Sequence, residues 1–242
     1  MKHLINFLLF IVDFVHKKKI YNFLKKNFVN SPLIIIDVGA HYGESIRLFF
    51  KYFNVEKIFC YEASRKNFEK LSEFTNNLES LKKLKINSFN FGIGETNTNK
   101  KFNQTSESSS STFANINFKS KYFKKKNHIL KFFFGPDYIS EIFDIELKTL
   151  ESEIVKHKLK KIDLIKIDTE GYEYMVLKGL KEKISMIKCI YFEHHYDQMI
   201  VKNYKFKDID HLLKKADFKK VFKIKMPFRK TFEYIYVNNK NI

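Results

Sequence analysis

The chain has 242 residues, 44% of them apolar, which suits one domain of roughly 200 residues with a buried core plus a short extension. Its formal net charge of +18, from 45 basic against 27 acidic residues, is carried almost wholly by lysine, since Arg47, Arg65 and Arg229 are the only arginines. Sites for bases and phosphates favour arginine's bidentate fork, so the charge reads as a compositional bias and a nucleic-acid partner is not expected.

The N-terminal stretch Leu4 to Val15 is apolar and flanked by Lys2 and Lys17-Lys18-Lys19. It is too short for a transmembrane helix and lacks an Ala-x-Ala cleavage site. It reads as a helical appendage over residues 1–30, with two roles open: packing across the catalytic domain, or lying in an anionic membrane interface. From Leu33 onward strand and helix alternate: strand Leu33–Asp37, helix Glu44–Phe53, strand Lys57–Glu62, helix Ser64–Asn76 and a strand around Lys85–Phe91. That rhythm predicts βαβ units and a parallel sheet. Residues 95–140, with the Ser106–Thr112 run and flanking lysine clusters, read as a loop insertion, either a surface loop or a substrate lid. Regular periodicity returns with helix Leu150–Lys158, strand Asp163–Asp168, helix Tyr172–Leu180 and strand Ile187–Glu193. A helix around Asp208–Lys215 and two strands, Lys219–Lys225 and Thr231–Asn238, close the chain as a hairpin. Cys60 and Cys189 each fall inside a strand-like run with no Cys-x-x-Cys spacing, so buried reduced thiols and a cytoplasmic setting are expected.

The most informative segment is Leu33-Ile34-Ile35-Ile36-Asp37-Val38-Gly39-Ala40-His41-Tyr42-Gly43. A buried strand stops at an acid, glycines let backbone approach a ligand, and the free N–H groups of a helix follow, as in a nucleotide-type cradle. The Asp-x-Gly-x-x-x-Gly spacing is neither the dinucleotide fingerprint nor a Walker A loop. Glu62 ends the next strand 23 positions after Gly39, where doubly wound folds place the acid that binds ribose hydroxyls. Asp168 and Glu170 end a later strand at the same sheet edge, so these acids are expected to face one crevice.

Through Ile36-Asp37-Val38-Gly39-Ala40-His41-Tyr42-Gly43, Tyr61-Glu62-Ala63 and above all Lys166-Ile167-Asp168-Thr169-Glu170-Gly171-Tyr172-Glu173 with Leu177-Lys178-Gly179, the chain resembles the FkbM-type methyltransferases over about residues 31–196. The resemblance implies a Rossmann-like α/β class I fold over residues 31–242. It carries a mostly parallel seven-stranded sheet with a C-terminal antiparallel hairpin. It also implies S-adenosylmethionine as cofactor, and O-methylation of a sugar hydroxyl on a bacterial surface glycan or secondary metabolite. Ala63-Ser64 departs from the family by standing where a proline often follows the ribose acid.

Asp37, Gly39, Ala40, Gly43, Glu62 and Asn90 are the expected cofactor contacts. Methyl transfer to a hydroxyl needs alignment of the acceptor and removal of a proton. Asp168 and Glu170 are the first candidates for that base, and His195 or His194 a second, while Glu173 caps a helix. Asp168 with Glu193 or His195 offers oxygen and nitrogen donors, but no metal is expected. Every cradle residue lies after Ser31, so the N-terminal stretch is expected to be dispensable for cofactor binding. A polyanion-binding protein on a retained fold is the alternative, marked by lysines clustered around the crevice. An RNA methyltransferase is disfavoured because no Asn/Asp-Pro-Pro-Tyr motif follows the fourth strand.

Overall fold

The computed structural model describes residues 2–28, 31–134 and 138–241. The first half comprises α1 (Lys2–Asn27), β1 (Leu33–Val38), α2 (Glu44–Tyr52), β2 (Val55–Tyr61), α3 (Arg65–Asn76), the single turn α4 (Ser80–Lys83) and β3 (Ile86–Phe89). Next come β4 (Gly92–Ile93), β5 (Thr98–Thr105), β6 (Asn115–Ile116), α5 (Lys121–Phe134) and β7 (Ile139–Lys148). The rest is α6 (Leu150–Lys156), β8 (Ile162–Ile167), α7 (Glu173–Lys178), β9 (Ile187–His195), β10 (Ile200–Val201), α8 (Phe206–Lys215), β11 (Phe218–Lys225) and β12 (Thr231–Asn238).

Seven strands form one sheet in the order β11-β12-β9-β8-β1-β2-β3, with β3, β2, β1, β8 and β9 parallel and β12 antiparallel to both neighbours. This is the Rossmann-like α/β architecture expected from the alternating pattern, closed by the expected hairpin. The central strands are apolar on both faces because both faces are covered. Leu33 and Ile35 of β1 pack with α1, α2 and α3, while Ile36 and Val38 pack with α6, α7 and α8. Cys60 and Cys189 are free and fully buried in the first of these layers. The chain enters at β1, winds out to β3, then returns to β8 beside β1 and winds the other way. The topological switch therefore lies between β1 and β8, where α/β sheets open a crevice. The exposed edge strand β11 carries Lys219, Lys220, Lys223 and Lys225, charges that discourage pairing with another sheet edge.

Two expectations change. The 95–140 insertion is not an irregular loop, because β5 and β7 pair antiparallel through eight residue pairs and β4 joins them in a separate three-stranded sheet. Its strands are mostly polar and offer only one apolar side, so Phe102, Ile145 and Leu147 form a small cluster with Phe113 and Tyr172. A strand stabilised by so few apolar residues carries little periodic signal.

The second change concerns the N-terminal helix. α1 runs continuously to Asn27, and its later turns bury Ile20, Tyr21, Leu24 and Phe28 against the sheet. Tyr21 sits edge-on to Tyr191 with ring centroids 6.5 Å apart, and Phe23 lies 4.6 Å from the Phe222 ring of β11. Of the two roles left open, this half of the helix takes the packing one, and it belongs to the core instead of forming a separate appendage. No described helix is long and apolar enough to cross a membrane.

Leu24 is fully buried on α1, so Leu24→Ala leaves a cavity and is expected to lower stability by about 2–5 kcal/mol. Urea unfolding followed by circular dichroism measures this. An unchanged midpoint would mean that α1 does not dock as described.

Candidate active site

A cavity of about 400 Å³ opens over the carboxyl ends of β1, β2, β8 and β9, within the size range of small-molecule sites. At its floor, Gly39 follows β1 at φ +80° and donates its N–H to the Tyr61 carbonyl (2.9 Å). A Cβ on Gly39 would stand 1.9 Å from the Asp168 carbonyl oxygen, so glycine is what lets the turn after β1 close against the turn after β8. Ala40 and His41 continue the wall.

Glu62 lies just past β2 with its carboxylate at the cavity. His41 N–H donates to Oε2 (2.8 Å), and Ser64 N–H (2.9 Å) and Asn67 Nδ2 (3.4 Å) donate to Oε1. Burial raises its pKa and these donors partly offset the rise. Oε2 keeps acceptor capacity for a ligand hydroxyl. Phe91, Gly92 and Ile93 add an apolar wall, and Ser108, Ser109 and Ser111 from the serine run line the cavity as well. Ser108 Oγ is 2.8 Å from both His41 Nε2 and Tyr42 Oη, which fastens this segment over the cradle.

Three expected cofactor residues take other roles. Asp37 is fully buried beneath the wall, 3.5 Å from Lys166 Nζ, and burial pushes its pKa up to about 6 against the pull of that lysine. Gly43, at φ +91°, does not line the cavity. A Cβ there would stand 2.4 Å from the Phe74 ring, so the glycine serves the packing of α3. Asn90 is exposed and braces backbone, donating to the carbonyl oxygens of Glu62 (2.9 Å) and Ala63 (3.3 Å).

The opposite end of the cavity is acidic, with Asp168, Glu170, Glu193 and Glu233 in its lining. Asp168 is partly open and lies 3.2 Å from Lys166 Nζ. Burial opposes ionisation of Asp168, but Lys166 outweighs it and holds the pKa below the usual range. Glu170 occupies a left-handed conformation at φ +50°, which Gly171 at φ +94° continues. Glu193 and Glu233 face each other across the β9–β12 ladder. Burial, helped by Asp168, lifts the Glu193 carboxyl to about 7. Glu233 is bonded by His16 of α1 and by the Tyr191 hydroxyl. Glu173 is structural as expected, since Oε1 accepts from Gly171 N–H (2.6 Å) and Oε2 from the Tyr204 hydroxyl (2.7 Å).

Neither histidine at the end of β9 fits a proton acceptor. His194 is buried among Tyr196, Tyr204 and Phe206, on the face of the sheet away from the cavity. His195 stands behind the wall, 3.1 Å from Glu170 Oε2, 3.2 Å from Glu193 Oε1 and 3.3 Å from Asp197 Oδ2. Burial would lower its pKa, but Glu170, Asp197 and Glu193 outweigh burial and hold it well above the usual range. An imidazole kept protonated is a cation, not a base.

Sequence reasoning missed Asp13, His16, Lys17 and Tyr21 of α1, as well as Glu233 and Arg229, all of which line the cavity, and it weighed Glu193 only as a metal donor. The N-terminal helix, expected to be dispensable for cofactor binding, thus supplies four residues to the cavity wall. Only the run of polar and charged residues on its otherwise apolar length hinted at this.

The sequence profile of the family described as the Methyltransferase FkbM domain matches residues 37–220. No curated protein matches the chain in sequence. Among solved structures, an FkbM methyltransferase from Methylobacillus flagellatus KT is similar with a TM-score of 0.55 and 17% identity, over 85% of this chain and 44% of that one. The chain thus spans less than half the length of that relative. A protein from Clostridium thermocellum named as a candidate rRNA methylase aligns with a TM-score of 0.52 and 7% identity, over 91% of this chain and 93% of that one. At these identities the likeness is one of fold.

Gly39→Ala meets both a left-handed backbone and the Asp168 carbonyl, and is expected to cost on the order of 3 kcal/mol. Chemical unfolding checks this; a loss under about 1 kcal/mol would show that the two turns do not abut.

Proposed function

We propose a specific acceptor chemistry for this chain, which belongs to the FkbM methyltransferase family: methylation of a hydroxyl oxygen on a sugar ring of a bacterial surface glycan or a related secondary metabolite. The methyl donor is S-adenosylmethionine, whose sulfonium-bound methyl is open to in-line attack by oxygen. Glu62, with its free acceptor capacity, suits the ribose hydroxyls, and Gly39 and Ala40 bring backbone close without side-chain obstruction. The apolar run from Phe91 to Ile93 suits the face of a base.

The observation that carries the acceptor reading is the carboxylate-lined end of the cavity. Carboxylates accept hydrogen bonds from several hydroxyls at once and repel phosphates. That favours a polyol over a nucleic acid, despite the net charge of +18. The basic residues fit the same reading: many lysines sit on exposed surfaces such as β11, whereas the described cavity lining has Lys17, Lys166, which two acids engage, and Arg229, on which Glu193 and Glu170 act. Asp168 is the partly open carboxylate. It can orient the acceptor hydroxyl and receive its proton as the new bond forms, and it remains fixed by Lys166 meanwhile. Glu170 is held against His195, so its part is positional. His16, Lys17 and Tyr21 close the side of the cavity and limit access of water.

Glu62→Ala removes an acceptor for the ribose hydroxyls and should weaken S-adenosylmethionine binding roughly tenfold or more, since a hydrogen bond to a charged group is worth about 1.5–3 kcal/mol. Calorimetry reads it, and unchanged affinity would refute the cradle assignment. Asp168→Asn keeps the shape but loses basicity. With labelled cofactor and fractionated glycans, lipids and RNA as acceptors, turnover on glycan is expected to fall on the order of 10² to 10⁴-fold with cofactor affinity within a few fold. Transfer to RNA but not to glycan would overturn the acceptor reading.

A further inference from the structure

The geometry points to a divalent-cation site formed by Glu170, Glu193 and His195, taking a first-row metal ion of the Mn²⁺ class at the acceptor end of the cavity. One ligand atom from each residue lies within 4.8 Å of the others, and all three side chains are buried, with residue exposures of 8%, 8% and 6%. His195 Nε2 stands 3.1 Å from Glu170 Oε2 and 3.2 Å from Glu193 Oε1. Metal–ligand bonds of about 2.1 Å meeting near a right angle place neighbouring donor atoms about 3.0 Å apart. The observed spacings match that separation.

The hydrogen-bond pattern supplies an independent reason. His195 Nε2 lies in ion-pair contact with Glu170 Oε2 and Glu193 Oε1, yet Nε2 and Glu193 Oε1 are not aligned for a hydrogen bond with any described residue. Buried polar atoms in close contact but out of hydrogen-bond alignment fit donors pointed at a shared ion. The other ring nitrogen, Nδ1, is occupied by Asp197 Oδ2 (3.3 Å) and the Thr231 hydroxyl (3.2 Å), and Asp197 Oδ1 accepts from Met199 N–H (2.9 Å). A carboxylate behind a ligating histidine fixes the ring and leaves Nε2 for the metal. Glu170 is aimed by its left-handed backbone, with its own carbonyl held by the Thr112 hydroxyl at 2.8 Å.

The donor types favour the same occupant. Glu170 and Glu193 bring carboxylate oxygens beside one imidazole, with the Arg229 guanidinium acting on both acids as a further cation. Two carboxylates with one imidazole suit Mn²⁺ or its first-row neighbours. Glu170 and Glu193 line the cavity, whereas His195 lies behind them, so the open coordination positions face the acceptor. A hydroxyl bound there becomes more acidic, which eases proton loss to Asp168. That role rests on the hydroxyl-acceptor reading; the binding of the ion does not. The donor set differs from the one weighed on sequence, because Asp168 is engaged by Lys166.

The 242-residue chain, treated with chelator and titrated with Mn²⁺, is expected to bind one ion by electron paramagnetic resonance and to melt at higher temperature. Glu193→Gln and His195→Asn, verified as folded by circular dichroism, should each bind Mn²⁺ at least tenfold more weakly while retaining S-adenosylmethionine affinity by calorimetry. Nitrogen NMR of His195 gives a readout in the wild-type chain alone: Mg²⁺ or Zn²⁺ should remove the Nε2 proton. No bound Mn²⁺, or a doubly protonated His195 in the presence of each ion, would overturn the cation site. Metal binding without methyl transfer to any hydroxyl would instead overturn the acceptor reading.

Discussion

The contact on which the rest of the site depends is the buried Lys166 ammonium between Asp37 and Asp168. Lys166 pairs directly with Asp37 across the β8–β1 ladder, and Asp168 is the first residue past β8. The three charges therefore tie together the carboxyl ends of the two strands between which the sheet reverses its winding. Removing Asp37 or Lys166, the two enclosed members, leaves an uncompensated buried charge, typically at a cost of about 3–5 kcal/mol, whereas the partly open Asp168 is more easily replaced. The same closure brings Gly39 against the Asp168 carbonyl, so electrostatics and backbone shape set one geometry.

From that point the cavity divides into two chemical halves. The β1–β2 side presents backbone, a single hydrogen-bonded carboxylate and an apolar wall. The β8–β9–β12 side presents four carboxylates, of which Glu193 is the one whose charge burial and the neighbouring Asp168 make costly. Such a concentration of acid persists only where cations or hydrogen-bond donors meet it. Lys166, His16, Tyr191 and His195 each supply one, and Arg229 acts on Glu193 and Glu170 as a further cation.

Enclosure comes from parts of the chain outside the core of the sheet. α1 crosses the face beside β9, β11 and β12 and delivers Tyr21 and His16 to the wall, while the β4–β7–β5 sheet carries the serine segment to the other side. The hairpin between β11 and β12 adds Met226 and Arg229. A site built this way is walled by tertiary packing, with cradle residues that are themselves local in sequence.

The sequence by itself determined what depends on local pattern. Runs such as Leu33–Val38 and Ile162–Ile167 are apolar on both faces apart from Asp37, Asp163 and Lys166 because both faces are covered, and they announced the parallel strands. Gly39 and Glu62 stood out because a positive φ and a strand-end acid are demanded at a fixed spacing. Only the tertiary structure decided which of the marked residues reach the cavity. Asp37, Gly43 and Asn90 carry the right residue types, yet one is consumed by Lys166, one by Phe74 and one by backbone carbonyls. Glu193 and Glu233 meet only through the pairing of β9 with β12, and α1 reaches the site only through aromatic packing on the sheet. The insertion's strands stayed hidden for a related reason. With one apolar side each, they are stabilised by partners distant in sequence, and a local pattern cannot register a partner it does not contain.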